Sequence, residues 1–429
     1  MRYAPALLFA RLLRWGIRRV RKGGGSALPG VLLARLAPGI LYRVLSSFRD
    51  GLVVITGSAG KSTTTKMAVA ILEAHGVEVF TNPTTANILQ GFYSTIAAQA
   101  SLSGKVRGQV AVLEMDEGHA AELVSKVKPK HSVILNVVED QLDRFVDPAY
   151  VAEKLLKVAQ ATTGTVHLNA DDQNLVAFES KLATGAKPPH SDRVVIWFGL
   201  DEVIANHGRG LGYAPTYSAP LARPAVQTQV FSLQDRATRV KTSRGELGFA
   251  LPARGSHFAV DAVAAISLCE TLLAEPDLAL FAKTLDEIPP VFARGEIIEV
   301  EGQRLELVLV QNPASTQLNI DALSSNLECI YFGIGRDVHD PSWLWTVTLP
   351  DWRAVAITAG YNANEAALFL KYSGVEPGQV IPDDIPASLE AFLALPAPSS
   401  GIKTLIISAD VMRRMRRHLG FETPEAVRQ

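Results

Sequence analysis

Apolar runs of four or five residues alternate with longer amphipathic stretches along most of the chain. Val53–Ile55, Val77–Phe80, Val110–Glu114, Val133–Asn136 and Thr165–Leu168 read as buried strands. Between them, Met67–Ala74, residues 88–100 and the stretch from Asp147-Pro148 to about Ala161 read as helices, the last with proline in its first turn. Alternation of this kind predicts a parallel α/β sheet with its polar residues at the strand ends. The texture changes from about 200 to 250. Gly208, Gly210, Gly212, Pro215, Pro220 and Pro224 give loops, and Val226–Leu233 alternates as a short antiparallel strand would. A β-rich insertion is expected there. An apolar helix over 257–275 follows, and Pro289-Pro290 marks a boundary. Beyond it Leu305–Val310, Cys329–Phe332, Ala354–Thr358 and Thr404–Ile407 read as strands of a second α/β unit, with Asn364–Tyr372 as one of its helices. The expected organisation is a lead-in over 1–50, a central unit over 51–288 and a C-terminal unit over 289–429.

The lead-in has its own pattern. Residues 1–22 hold Arg2, Arg11, Arg14, Arg18, Arg19, Arg21 and Lys22 and no acid. Phe9, Leu13, Ile17 and Val20 share one helical face, and Arg11, Arg14, Arg18 and Arg21 share the opposite one. This basic amphipathic helix suits peripheral contact with an anionic membrane surface. A transit peptide, or a helix packed on its own domain with a solvated basic face, fits the same pattern. The charges follow the apolar residues, which argues against a signal peptide. Gly23-Gly24-Gly25-Ser26 ends the helix, and Pro29-Gly30 and Pro38-Gly39 punctuate a short connecting region.

Composition narrows the classes. The chain has 429 residues, 48% hydrophobic and 20% charged, with a net charge of −1. That is enough for two or three globular units, and it offers no global field for nucleic acid. No apolar run reaches transmembrane length. Cys269 and Cys329 lie in apolar runs and read as buried thiols in a reducing, cytoplasmic setting.

The chemistry centres on Thr56-Gly57-Ser58-Ala59-Gly60-Lys61-Ser62-Thr63, between a strand and a helix. A glycine turn of this kind presents backbone N–H groups and a helix N-terminus to an anion. Lys61 reaches the outer phosphates of a nucleotide, and the Ser62 hydroxyl suits Mg²⁺. The longer form of this loop would have glycine where Ile55 stands. Glu114 ends a strand and is followed by Met115-Asp116-Glu117, so it reads as the Mg²⁺ partner of Ser62, with a helix cap as the alternative. Trp343 and Trp345 alternate about Leu344 as in a strand with one buried face.

The ordered series Thr56-Gly57-x-x-Gly60-Lys61-Ser62-Thr63, Glu114, Asn136-x-x-x-Asp140-x-Leu142-Asp143 and Asn169-Ala170-Asp171-Asp172 resembles the Mur ligase superfamily. Within it, the chain most resembles the MurT-type subunit of lipid II isoglutaminyl synthase. Leu28-Pro29-Gly30, Leu113–Glu117, Asp140–Phe145, Phe292-Ala293-Arg294-Gly295-Glu296, Asn312-Pro313-Ala314, Asp340–Trp345 and Leu370-Lys371-Tyr372 are similar to its signatures. The resemblance implies an α/β fold with a central ATP-binding P-loop domain and a C-terminal Rossmann-like domain. It implies ATP and Mg²⁺ as cofactors, and activation of a carboxylate as an acyl phosphate that an amine attacks. In that family the carboxylate is the α-carboxylate of D-glutamate in the stem peptide of lipid II, and ammonia comes from a GatD-type glutamine amidotransferase partner. The resemblance also implies nucleotide contacts from the loop and Arg294, catalytic roles for Lys61 and Glu114, and an aspartate that orients a histidine of the partner. Asp340 is the best matching position and Asp337 the alternative.

The departures are specific. The family carries two CxxC pairs for zinc in the insertion; 200–250 has no cysteine, so no zinc is expected. Glu139 stands for an arginine, Gln311 for a lysine, Ser315 for a glycine and Thr346 for an aspartate. Two asparagines near the nucleotide are replaced in Gly255-Ser256-His257-Phe258-Ala259-Val260-Asp261. These changes leave two alternatives: a carboxylate–amine ligase without such a partner, and a non-catalytic nucleotide-binding scaffold.

Overall fold

A computed structural model describes residues 3–20, 27–82, 88–138, 147–184, 193–206, 211–214, 216, 221–289, 294–324 and 326–421. Helices α1 (Ala4–Val20), α2 (Ala27–Leu36) and α3 (Gly39–Leu45) lead into β1 (Leu52–Thr56) and α4 (Lys61–Ala74). Then follow β2 (Val79–Thr81), α5 (Leu89–Gln99), β3 (Val110–Glu114), α6 (Glu117–Leu123), β4 (His131–Ile134), α7 (Pro148–Ala161) and β5 (Thr165–Asn169). Short helices α8 (Gln173–Val176) and α9 (Phe178–Thr184), strand β6 (Val194–Leu200) and α10 (Glu202–Ala205) precede β7 (Thr228–Gln234), β8 (Ala237–Thr242) and β9 (Gly245–Ala250). Helices α11 (Ser256–Leu272) and α12 (Leu278–Glu287) complete this part.

These nine strands form one sheet in the order β2-β3-β1-β4-β5-β6-β7-β8-β9. It is parallel from β2 to β7 and antiparallel from β7 to β9. The β-rich insertion therefore continues the main sheet as a meander. Burial on both faces explains the unbroken apolar runs of β1 and β3. Val53, Ile55 and Val112 pack under α4 and α11, whereas Val54, Leu113 and Leu52 pack under α3 and α5.

The connecting region is helical, contrary to the expectation from its Pro-Gly pairs. Pro29 sits in the first turn of α2, where a missing N–H costs nothing. Gly30 is a contact: a Cβ there would lie 2.0 Å from the Gln90 carbonyl of α5. Helix α1 forms as expected, but Arg11 turns inward. Its Nε donates to the Ala97 carbonyl at 2.8 Å and its Nη2 to the Ala100 carbonyl, at the C-terminus of α5. A cation satisfies the unpaired carbonyls there and opposes the helix dipole. No single helix among the described residues is long and apolar enough to cross a membrane.

The second sheet has six strands, β10 (Arg294–Val300), β11 (Gln303–Leu309), β12 (Ile330–Gly333), β13 (Ile357–Gly360), β14 (Gln379–Pro382) and β15 (Lys403–Ile407), in the order β10-β11-β15-β12-β13-β14. Only the β10–β11 pair is antiparallel. Helices α13 (Pro313–Asp321), α14 (Ala363–Tyr372), α15 (Ile385–Leu393) and α16 (Ala409–His418) flank it. Two apolar clusters, one on each face, form its core. Residues Pro341–Thr346 form a 3₁₀ turn, not the strand that the alternation suggests. Leu344 is its buried residue and Trp345 points outward.

Candidate active site

The carboxyl ends of β1, β3 and β4 converge beneath the glycine loop. Gly60 begins α4 in a left-handed conformation at φ 86°, and a Cβ there would fall 2.0 Å from Asp261 Oδ1. Only glycine fits both demands. The loop is tied to the strand next door. Asn136 Oδ1 accepts from the Ala59 N–H at 2.8 Å, its Nδ2 donates to the Ala59 carbonyl at 3.2 Å, and its carbonyl accepts from the Ser58 N–H at 3.0 Å. The Ser58 hydroxyl in turn accepts from the Val138 N–H at 3.2 Å.

Lys61 and Ser62, at the first turn of α4, meet two acids. The Ser62 hydroxyl donates to Glu114 Oε1 at 2.8 Å, in a buried setting. Glu114 is reached because β3 pairs with β1 in a register that sets Ile55 opposite it. Asn82 fixes the strand end by accepting from the Glu114 N–H at 3.0 Å and donating to its carbonyl at 3.1 Å. The Lys61 ammonium donates to the Gly57 and Ser58 carbonyls and lies 3.3 Å from Glu117 Oε1. The other oxygen of Glu117 is buried with no hydrogen-bond partner among the described residues. A buried carboxylate with a bare oxygen favours a further cation or proton donor nearby.

These groups open into a cleft of about 480 Å³. One wall holds Ser58 to Thr63, Glu114, His257 and Asp261; the other holds Gln311, Asn312, Ser315, Asp337 and Arg413 from the second sheet and its helices. Asn312 caps α13, accepting from the Ser315 N–H at 2.7 Å, and the Ser315 hydroxyl accepts from the Asn312 N–H at 3.3 Å. Serine at 315 thus completes a capping box. Asp337 accepts from the Ser408 hydroxyl at 2.6 Å.

Not every predicted site residue enters this cleft. Thr56 is buried at the end of β1, and Gly57 contributes a carbonyl to Lys61. Asp340 lies outside the lining, exposed at the start of the 3₁₀ turn, where it accepts from the Ser342 N–H at 2.9 Å. Hydrogen bonds from Ser342 hold its carboxyl below the usual carboxylate range. Arg294 opens β10, and its side chain is outside the described residues, as are Glu139 and Asp140–Phe145. The Asn169–Asp172 motif is architectural. Asn169 donates to the Leu135 carbonyl and to Tyr213, Asp171 binds Arg223, and Asp172 accepts from the Val137 N–H. Sequence reasoning assigned no role to Asn82, Glu117 or Arg413. Glu117 had a signal in its place within a strand-end acidic run; Asn82 and Arg413 depend on tertiary placement.

The loop geometry suits a nucleoside polyphosphate: a glycine cradle at a helix N-terminus, a lysine, and a hydroxyl–carboxylate pair of hard oxygens. Residues 55–269, half of the chain, match the model of the Mur ligase middle domain. The chain belongs to the Mur ligase family. It is an ATP-dependent ligase that joins a carboxylate to an amine.

Among named relatives, the MurT subunit of lipid II isoglutaminyl synthase (glutamine-hydrolyzing) from Streptococcus pneumoniae is 28% identical over 349 residues, 76% of each chain. The MurT subunit from Staphylococcus aureus is 31% identical over 172 residues, 40% of this chain and 38% of that one. Both are named as subunits, which implies a partner subunit in those enzymes. Among solved structures, the MurF ligase from Thermotoga maritima in complex with ADP superposes with a TM-score of 0.63 at 16% identity, over 91% of this chain and 83% of that one. Folylpolyglutamate synthase from Thermotoga maritima gives 0.59 at 15% identity, over 97% of both chains. The family fold is thus shared across nearly the whole chain.

Proposed function

We propose that this chain is the ATP-using subunit of an amidating ligase. It activates the α-carboxylate of D-glutamate in a lipid II stem peptide, and a GatD-type glutamine amidotransferase supplies ammonia. The observation that carries this reading is the 76% two-way coverage by a MurT relative, joined to the buried Ser62–Glu114 pair. ATP supplies the phosphoryl group that turns a poor electrophile, the carboxylate, into one with a leaving group. The Ser58–Thr63 backbone and Lys61 would hold its phosphates, and Ser62 and Glu114 would hold Mg²⁺, which would supply charge neutralisation there. Lys61 places its positive charge where negative charge builds on the transferred group. The second wall, with Gln311, Asn312 and Arg413, faces these groups across the cleft.

The partner would meet the C-terminal unit. Asp340 stands at the head of the turn that carries exposed Trp345, and Trp345 packs edge-on against Tyr372 with ring centroids 5.9 Å apart. Exposed aromatics of this kind are frequent anchors at protein interfaces. In the cell the chain would work on the cytoplasmic side, where ATP is available.

The test is reconstitution with lipid II, glutamine, ATP, Mg²⁺ and a GatD-type glutaminase. The expected result is conversion of a carboxyl to an amide with ADP release, abolished by Lys61→Ala. No ADP release with any muropeptide and partner would overturn the reading. A second reading, a ligase that takes its amine directly, is favoured by Gln311 and Asp261 in the cleft wall, where the MurT-type pattern has lysine and asparagine. ADP release with a free amine or amino acid and no partner would select it.

A further inference from the structure

Helix α1 turns large apolar side chains outward. Leu8, Leu12 and Trp15 fall at helical spacing on one side, with Phe9 beside them, and they are 46%, 65%, 57% and 53% exposed in that order. This face shares only Phe9 with the stripe that sequence spacing selects, whose Leu13 and Ile17 are half-buried, and the anchoring contacts explain why. Leu7 and Ala10 are fully buried, and Arg11 caps α5, so the helix is rotated to turn Leu8 and Leu12 outward. Helix α2, packed on α1, exposes Leu28 and Leu36 together with Arg35.

The charge around this face is one-sided. Residues 1–49 contain ten arginines and lysines and no aspartate or glutamate, although the whole chain has 42 basic and 43 acidic residues. The rest of the chain is therefore net acidic. Within this segment Arg11 is held against α5 and Arg49 pairs with Asp50, whereas Arg35 on α2 and Arg43 on α3 are exposed. A two-fold dimer through this face would oppose two basic segments. An anionic lipid surface satisfies both features at once, taking the apolar side chains at its acyl boundary and the cations at its phosphates.

We propose that the Leu8, Phe9, Leu12 and Trp15 face of α1 docks on the surface of an anionic phospholipid bilayer. The proposal goes beyond the ligase reading and does not depend on which carboxylate the enzyme activates.

The test is co-sedimentation of the full-length protein with vesicles of phosphatidylcholine alone and of phosphatidylcholine with phosphatidylglycerol, at low and moderate salt. Binding is expected to rise with phosphatidylglycerol and to fall with salt. Leu12→Glu/Trp15→Glu is expected to weaken partitioning at least about tenfold, since each side chain contributes more than one factor of ten when buried. Leu8→Ser/Phe9→Ser, a milder pair, should weaken it in the same direction. Both pairs should keep the wild-type melting temperature and ADP affinity, because these side chains are exposed. Wild-type protein that stays in the supernatant with phosphatidylglycerol vesicles would overturn the proposal. So would variants that sediment as the wild type does. A wild-type oligomer that Leu12→Glu/Trp15→Glu converts to monomer in vesicle-free buffer, without vesicle binding, would instead assign the face to a second copy.

Discussion

Asn136→Ala tests whether the phosphate loop is held in shape by its neighbour strand. The side chain makes two hydrogen bonds to Ala59, at 2.8 and 3.2 Å, in the middle of the loop. Each is worth about 0.5–1.5 kcal/mol net, so their joint loss removes about 1–3 kcal/mol of loop organisation. Two links survive the substitution, from the Ser58 N–H to the Asn136 carbonyl and from the Val138 N–H to the Ser58 hydroxyl. The loss should therefore fall in the lower half of that range, and nucleotide affinity should drop about tenfold. Titration of ADP with Mg²⁺ by calorimetry, beside a melting curve for each protein, measures it. Asn136→Asp is the sharper control. It keeps an acceptor for the Ala59 N–H, sets an oxygen against the Ala59 carbonyl, and adds negative charge beside the proposed phosphate site, so it should bind more weakly than the alanine variant. An Asn136→Ala protein that binds ADP within a factor of two of wild type would refute the idea that this link shapes the loop, and so would an aspartate variant that binds more tightly.

Gly60→Ala should destabilise by about 2–5 kcal/mol, from left-handed strain plus overlap with Asp261, and Asp261→Ala in the same chain should return about 1–3 kcal/mol of it; denaturant unfolding of the two single variants and the double reads the coupling, and simple additivity would refute it. Lys403, buried at the start of β15, donates to the Gln303 side chain and to the Phe392, Leu393 and Leu395 carbonyls at 2.7–3.0 Å. Lys403→Met should cost about 2–4 kcal/mol in denaturant unfolding by leaving carbonyls at the end of α15 without a donor, and a change under about 0.5 kcal/mol would contradict this. Burial lowers His131 to about 4 and His167 to about 3, below the unfolded value near 6.5. The unfolded chain then takes up protons first as pH falls, so their contribution is complete above about pH 6.5 and is lost towards pH 4 and 3, about 2 kcal/mol per histidine by pH 5. His167→Gln, which keeps a partner for the Ser267 hydroxyl, should give a shallower loss of stability between pH 7 and pH 5 than wild type does; an equal slope would show that His167 is not held neutral.

The legible parts of the chain were local ones. The phosphate loop is a contiguous strand, turn and helix, and Glu114 declares itself by ending an apolar run. Both sheets and the insertion's β character follow from periodicity for the same reason. What was not legible depends on contacts between distant segments. Pro29 and Gly30 look like breakers in sequence, yet one suits a first helical turn and the other lets α2 touch α5. The inward turn of Arg11, which spacing groups with the basic face of α1, was not legible because its two carbonyl partners lie 86 and 89 residues away. Trp343-Leu344-Trp345 alternates like a strand, but Asp340 and Pro341 start a 3₁₀ turn there. Asn82 could not be singled out, because its role is to clamp the backbone of Glu114 across 32 residues.

A helix clamped to its own domain cannot act as a loose tether. Arg11 bonds α1 to the last turn of α5, and Leu7 and Ala10 lock its inner side. The outer face of α1 therefore has a fixed bearing relative to β1 and the loop that follows it. Any flat surface that this face meets sets the tilt of the whole enzyme, and with it the height and direction from which a long substrate must enter the cleft.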